Sequence, residues 1–115
     1  MQLEAEPHGG TLVVHVNESR IDAAVAIRFK DLMRDLTAPP ADRVVLDLSL
    51  VEFLDSSGLG AVVAVMKSLS PEKRLELAAL TPNVARVFRL TRMDGVFRIH
   101  ETLDSALCEG ARDAG

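Results

Sequence analysis

The segment VEFLDSSGLGAVV (51–63) places an acid, two serines and two glycines between two strongly apolar runs. The run before it, RVVLDLS (43–49), is apolar at successive positions, which predicts a strand buried on both faces. The run after it, as far as about Leu69, has apolar residues at helical spacing and predicts a helix. The segment is therefore a strand-to-helix junction and indicates an α/β fold.

Strands and helices alternate along the rest of the chain. The predicted elements are a hairpin (2–17), a helix capped by Asp22 (23–36), the buried strand (43–49), the helix after the junction as far as about Leu69, a strand (74–80), a helix capped by Thr81 (82–93), a short strand (96–100) and a last helix capped by Thr102 (103–111). This order predicts a largely parallel sheet, with the first hairpin as its antiparallel edge.

Length and composition limit the class of protein. The 115 residues suffice for one domain, and 48% apolar with 26% charged residues is the balance of a globular protein. The sequence has neither a signal-peptide pattern nor an apolar run of about 20 residues, so we expect a cytoplasmic protein without membrane insertion. The formal charge of -4 and the low aromatic content argue against nucleic acid as a partner. A lone Cys108 and the absence of metal-ligand spacing leave no expected disulfide, metal or cofactor, and an acidic monomer is the default expectation.

The helix after the junction is predicted to have two different faces. One face is an ordinary apolar core stripe, formed by Leu59, Val62, Val63, Met66 and Leu69. The other is small and nearly uncharged, with Ser56 at its head, and consists of Ser57, Gly60, Ala61, Ala64 and Ser68. Small side chains allow close approach of another backbone, so this face predicts a docking surface for a partner. Coverage of the helix by the rest of the domain is the alternative.

The two serines allow three interpretations. Serine is a good N-cap, so a plain helix start is the first. A catalytic serine is the second, but DSSGLG (55–60) is neither a nucleophile elbow nor a phosphate loop. The possible bases, which form no recognisable constellation with it, are His8, His15 and His100. The third is a modified serine, since a phosphate on Ser56 beside Asp55 would weaken a partner complex rather than the fold.

The remaining charged residues are predicted to lie mostly on the surface. Arg86, Arg89 and Arg92 recur at spacing i, i+3, which is typical of a solvated helix face, and contact with an acidic partner is the alternative. Asp22 is predicted to be a helix cap. Its place at a strand-to-helix junction would bring it near Ser56 if the two parent strands are neighbours.

The sequence resembles a known family along nearly its whole length. VVLDLSLVEFLDSSGLGAVV (44–63) closely resembles the signature of anti-sigma factor antagonists, which are single-domain members of the STAS group (sulfate transporter and anti-sigma factor antagonist). SRIDAAVAIRFKDLM (19–33) is similar to their first strand-to-helix junction, and residues 80–107 are similar to their C-terminal third. The resemblance implies a single STAS domain (1–115), with a four- to five-stranded mixed sheet packed by about four helices.

The resemblance also implies a mechanism. In this family the serine after the motif aspartate, here Ser56, is phosphorylated by a serine kinase that is also an anti-sigma factor. The unphosphorylated form binds the kinase and releases the sigma factor, and a metal-dependent serine phosphatase resets the switch. Together with the small-residue face, this places partner contacts at Asp22, Asp55, Ser56, Ser57, Gly58, Gly60, Ala61 and Ala64.

Two further points concern this chain in particular. Ser19 and Arg20 stand where the family often has Gly-Glu. The alternative function is a STAS subunit of a membrane lipid-transport ATPase complex that is not switched and that uses the arginine face for contact.

Overall fold

The computed structural model describes residues 1–114, with side chains described as far as Cys108. In chain order the elements are β1 (Leu3–His8), β2 (Thr11–Val16), β3 (Arg20–Ile21), α1 (Ala26–Leu36), β4 (Arg43–Asp47), β5 (Phe53–Leu54), α2 (Ser56–Leu69), β6 (Arg74–Ala78), α3 (Pro82–Leu90), a 3₁₀ turn (Met93–Gly95), β7 (Ile99–His100) and α4 (Leu103–Ala114). Five strands form one mixed sheet in the order β1-β2-β4-β6-β7, with β1 antiparallel to β2 and the other neighbours parallel. The predicted α/β fold with a five-stranded mixed sheet and four helices is confirmed.

The sheet is covered on both faces. Alternate residues of β4 face opposite sides, so that Val44 and Leu46 lie in the larger core and Val45 lies under α4 with Ala106. Helices α1, α2 and α3 cover the larger core, and their buried side chains there are Phe29, Met33, Ala61, Val62, Val65, Val84 and Phe88. The prediction that β4 is buried on both faces is therefore confirmed. Within residues 1–114, no helix is both long and apolar enough to cross a membrane.

A buried polar cluster ties α4 to the sheet. Arg43 donates from Nε to Glu76 Oε1 at 2.9 Å and from Nη2 to the carbonyl oxygen of Ala106 in α4 at 2.6 Å. His100 Nε2 lies 2.7 Å from the same Glu76 oxygen. Burial alone raises the pKa of Glu76, but the hydrogen bonds from Arg43 and His100 outweigh it and lower the pKa below its ordinary value.

Helix α1 begins three residues later than the sequence predicts. Asp22 caps a turn that precedes the helix, because its Oδ1 accepts the N–H of Ala24 at 3.1 Å and its carbonyl oxygen accepts the N–H of Val25. The helix itself starts at Ala26, with Val25 as its N-cap. The prediction that Asp22 caps the helix is therefore wrong, although the residue does cap the local backbone.

Two C-terminal elements are shorter than predicted. Helix α3 ends at Leu90, because the backbone at Arg92 turns into the left-handed region with φ 60°. The strand predicted over 96–100 is reduced to Ile99–His100. The predicted cap of α4 is present, since Thr102 Oγ1 accepts the N–H of Ser105 at 3.0 Å.

Candidate functional site

Two short parallel strands, which the sequence analysis did not predict, bring the first two strand-to-helix junctions together. Strand β3 pairs with β5 so that Ile21 lies opposite Leu54, and both side chains are buried. The next residues along the two strands are Asp22 and Asp55. The expectation that Asp22 lies near the motif is therefore supported by the register of these strands.

The carboxylate of Asp55 fixes the start of α2 and joins it to the first junction. Its Oδ1 accepts the N–H of Gly58 at 2.8 Å, which is a helix N-cap bond. Its Oδ2 accepts the N–H of Ala23 at 3.2 Å, from the turn before α1. The N-cap of α2 is thus an aspartate, and the interpretation of the serines as simple helix caps is wrong.

Gly58 lies inside the protein, where α2 approaches β3. A Cβ at this position would lie 2.0 Å from the carbonyl oxygen of Ile21 and 2.9 Å from its carbonyl carbon. Glycine is therefore required by the close packing of helix against strand. Its predicted role as a direct contact on the partner surface is corrected, because the residue is buried.

The small-residue face is not continuous on the surface. Ala61 is only 3% exposed and belongs to the buried face of α2, together with Val62 and Val65. The predicted apolar stripe is turned partly away from the core, since Leu59, Val63, Met66 and Leu69 are half-buried. The reason is that α1 and β3 pack against α2 in addition to the sheet. The alternative prediction, that the rest of the domain covers this helix, is therefore correct for Gly58 and Ala61.

The other predicted contacts on α2 remain accessible. Ser56, Ser57 and Gly60 are exposed, and a Cβ at Gly60 would meet nothing within 4 Å. Among the side chains described, to Cys108, neither serine hydroxyl forms a hydrogen bond. Ala64 is half-buried in a groove of about 320 Å³ between α1 and α2. The surface on α2 therefore begins with two free hydroxyl groups.

An arginine–aromatic pair lies on β3 and β5, the strands that lead into the two junctions. The guanidinium carbon of Arg20 lies 4.3 Å from the centre of the Phe53 ring, and its Nε donates to Asp22 Oδ2 at 3.3 Å. Both side chains reach solvent, with Arg20 58% and Phe53 41% exposed. Leu50, in the loop before β5, adds an exposed apolar side chain. Apart from the unusual residue Arg20, no local pattern in the sequence predicts this pair.

The histidines have partners other than the serines. His15 lies between two carboxylates, with Nδ1 2.7 Å from Asp47 Oδ2 and Nε2 3.0 Å from Glu6 Oε2. Partial burial lowers the pKa of His15, but the hydrogen bonds to the two carboxylates outweigh it and raise the pKa above its ordinary value. His8 also contacts Glu6, and His100 lies in the buried cluster. Within residues 1–108, no histidine contacts Ser56 or Ser57.

The remaining candidate residues are dispersed over the surface. Arg86 and Arg89 are exposed on α3, whereas Arg92 is exposed but lies beyond the end of that helix at Leu90, so the predicted helix face of three arginines is reduced to two. Cys108 is exposed and unbonded. In the described part of the chain, no group of three or more His, Cys, Asp or Glu residues is placed to hold a metal ion.

Comparison with known proteins agrees with this geometry. The family model described as "STAS domain" matches residues 2–106. The anti-sigma-F factor antagonist RsfB of Mycobacterium tuberculosis is 29% identical over 100 residues, which cover 87% of this chain and 81% of RsfB. An anti-sigma F factor antagonist of Paenibacillus polymyxa is 30% identical over 106 residues, which cover 91% of this chain and 88% of the relative.

A solved structure is also similar to this protein in its fold. The crystal structure of an anti-sigma factor antagonist from Mycobacterium paratuberculosis superimposes with a TM-score of 0.83 and 33% identity, covering 94% of this chain and 92% of that one. The family model, the relatives and the structure agree over nearly the whole length. The chain belongs to the STAS domain family, and its relatives include proteins named as anti-sigma factor antagonists.

Proposed function

We propose that this protein is an anti-sigma factor antagonist that is switched by phosphorylation of Ser56. The unphosphorylated form binds an anti-sigma factor that is also a serine kinase, and so releases the kinase's target. The observation that carries the proposal is the state of Ser56, which is exposed and whose hydroxyl has no hydrogen bond within residues 1–108, at a helix start that Asp55 caps. The names of the relatives supply the class of partner.

The switching step is a phosphoryl transfer to the hydroxyl oxygen of Ser56. A new P–O bond forms at Oγ while the bond from the γ-phosphorus of a nucleoside triphosphate to its diphosphate breaks. The hydroxyl proton passes to a base of the kinase. A serine phosphatase reverses the modification by transferring the phosphoryl group to water, which restores the hydroxyl and releases inorganic phosphate.

The phosphate acts on the partner complex through charge. It adds a charge of about -1.5 to -2 at neutral pH. Asp22 and Asp55 follow the paired ends of β3 and β5 next to Ser56, so the surface is already acidic there. Repulsion and desolvation in the interface together reduce affinity by about tenfold to a hundredfold, the effect of 1.4 to 2.7 kcal/mol. The fold is spared, since the serine hydroxyls are not used in folding.

The test begins with the protein isolated from its native cells. Intact-mass measurement and peptide mapping of residues 50–67 are expected to show one phosphate on Ser56. Ser56→Ala removes the phosphate, whereas the matched control Ser57→Ala keeps it. Ser56→Asp is expected to bind the co-purified anti-sigma factor at least tenfold more weakly than the wild type.

Two outcomes would overturn the proposal. One is the absence of phosphate on Ser56 under growth, stress and starvation alike. The other is equal affinity of Ser56→Asp and wild type for the anti-sigma factor. A stable ATP-binding transport subunit that co-purifies regardless of Ser56→Ala would identify a lipid-transport complex instead.

A further inference from the structure

Arg20 is a cation held close to the candidate phosphoacceptor. Its strand partner is Phe53, and Ser56 follows Phe53 by three residues. Its side chain extends along the surface to Asp22, the residue directly after β3, and so points toward the end at which α2 begins. The side chain of Arg20 is therefore directed toward the position of a phosphate on Ser56.

The guanidinium of Arg20 has N–H groups available to bind a phosphate. Within residues 1–108, the one hydrogen bond of its side chain is from Nε to Asp22 Oδ2, and the distance of 3.3 Å is beyond the usual range for such bonds. Among residues 1–108, no acceptor is hydrogen-bonded to its two Nη groups. A guanidinium binds phosphate oxygens through pairs of N–H groups, and a phosphate is a stronger acceptor than the carboxylate it replaces.

The span between the two backbones fits this contact. Arg20 lies one strand spacing from Phe53, and Ser56 follows Phe53 by three extended residue steps. Together these put the Cα atoms of Arg20 and Ser56 about 11 Å apart. An arginine extended from one end and a phosphoserine extended from the other together cover that distance. Both oxygens of Asp55 already accept backbone N–H groups, so the carboxylate that competes with the phosphate for Arg20 is Asp22, whose Oδ2 lies at 3.3 Å from Nε.

We propose that Arg20 leaves Asp22 and binds the phosphate of phosphorylated Ser56 within the same molecule. The inference rests on the proposed function, because it concerns the phosphorylated form. In this form Arg20 no longer lies over Phe53, so the aromatic ring gains solvent exposure. Phosphorylation therefore changes the shape of the partner surface as well as its charge.

The experiment installs phosphoserine at position 56 of the full chain during translation, so that no kinase is needed. The titration of the phosphate is followed by ³¹P NMR in the wild type, Arg20→Gln, Arg20→Lys and a matched control, Arg34→Gln. Arg34 is a suitable control because it is an exposed arginine on α1, near Asp31. The ring signals of Phe53 are recorded with and without the phosphate.

We expect the titration midpoint to lie about half a pH unit lower in the wild type than in Arg20→Gln. Arg34→Gln should titrate like the wild type, and Arg20→Lys should fall between the two. The Phe53 signals should move on phosphorylation in the wild type and stay in place in Arg20→Gln.

Equal midpoints in the wild type and Arg20→Gln would overturn the inference. An equal change in Arg34→Gln would do the same, because it would show an effect of net charge alone. Either result leaves the proposed function standing, since phosphorylation of Ser56 in cells is measured separately. Conversely, a Ser56 that is unmodified in cells refutes the function even where the Arg20 contact is measured.

Discussion

Replacing Gly58 by alanine tests whether the close approach of α2 to β3 builds the site. The added Cβ would lie 2.0 Å from the carbonyl oxygen of Ile21 and 2.9 Å from Leu54 Cδ1. Optimal separations between non-bonded carbons are about 3.5–4.0 Å. Because the nearest atom belongs to the backbone, the strand or the helix must move to admit the methyl group.

The expected change in unfolding free energy for Gly58→Ala is the balance of one stabilising and two destabilising effects. Alanine is favoured over glycine within a helix by about 1 kcal/mol. Overpacking costs about 1–3 kcal/mol, and the upper end applies to a contact with backbone. Moving α2 away from β3 also strains the hydrogen bond from Ala23 to Asp55, which is worth about 1 kcal/mol. The variant should therefore lose about 2–3 kcal/mol of unfolding free energy.

Gly60→Ala is the matched control, two residues along the same helix. A Cβ there meets nothing within 4 Å, so only the helix preference acts and a gain of about 0.5–1 kcal/mol is expected. Urea unfolding at constant m-value gives both changes as shifts of the midpoint. Equal stability of Gly58→Ala and Gly60→Ala would refute the close-approach explanation.

Three further perturbations test the contacts around the site and the sheet. Asp55→Ala removes the acceptor of two N–H groups and should lower the unfolding free energy by about 2 kcal/mol, as measured with urea. Asp55→Asn should recover part of this loss. An unchanged urea midpoint in Asp55→Ala would contradict the role of its carboxylate as acceptor for both N–H groups. The pKa of His15 is raised because its hydrogen bonds to two carboxylates outweigh the opposing effect of burial. Its stabilisation is therefore complete below about pH 6.5 and is lost as the pH rises through the folded-state pKa. From about pH 5.5 to 8, the wild type should lose more stability than His15→Gln, and equal losses would rule out the carboxylate bridge. Arg43→Met leaves Glu76 buried without the guanidinium that pairs with it, so the unfolding free energy should fall by about 3–5 kcal/mol. Adding Glu76→Gln should restore part of this loss. No recovery of stability in the double variant would argue against the pair.

Patterns that depend on local sequence were predicted well. The end of α2 at Leu69 agrees with the predicted helix, because its apolar residues recur at helical spacing and a polar junction precedes it. Strand β4 was recognised as buried on both faces because it is apolar at consecutive positions. In both cases the deciding information lies within a single segment.

Features that depend on contacts between distant segments were missed or wrong. Strands β3 and β5 have two residues each, which is too short for any hydrophobic period to be visible. Their pairing brings Ile21 against Gly58, and this contact buries a residue that the motif had placed on the predicted partner surface. The start of α1 was misplaced for a related reason, since the N–H of Ala23 is bonded to Asp55 from another junction.

The buried cluster of Arg43, Glu76 and His100 shows the same limit for charged residues. Each has a charged or polar side chain that is usually exposed in a folded protein. The strand register places Arg43 near Glu76, and α4 then closes over them with a carbonyl oxygen as acceptor. No local pattern distinguishes these residues from the exposed charges of the same strands.

The polar residues of the junction divide into two groups with separate physical tasks. Asp55 and Gly58 are directed inward, where one caps α2 and the other admits the backbone of β3. Ser56 and Ser57 lie between them in sequence, yet their hydroxyl groups face solvent and, within residues 1–108, take no part in hydrogen bonding. A modification of Ser56 therefore changes the surface without removing a contact that holds the fold. Conversely, because the inward pair fixes the start of α2, a phosphate added to Ser56 would meet a partner in one geometry rather than in many.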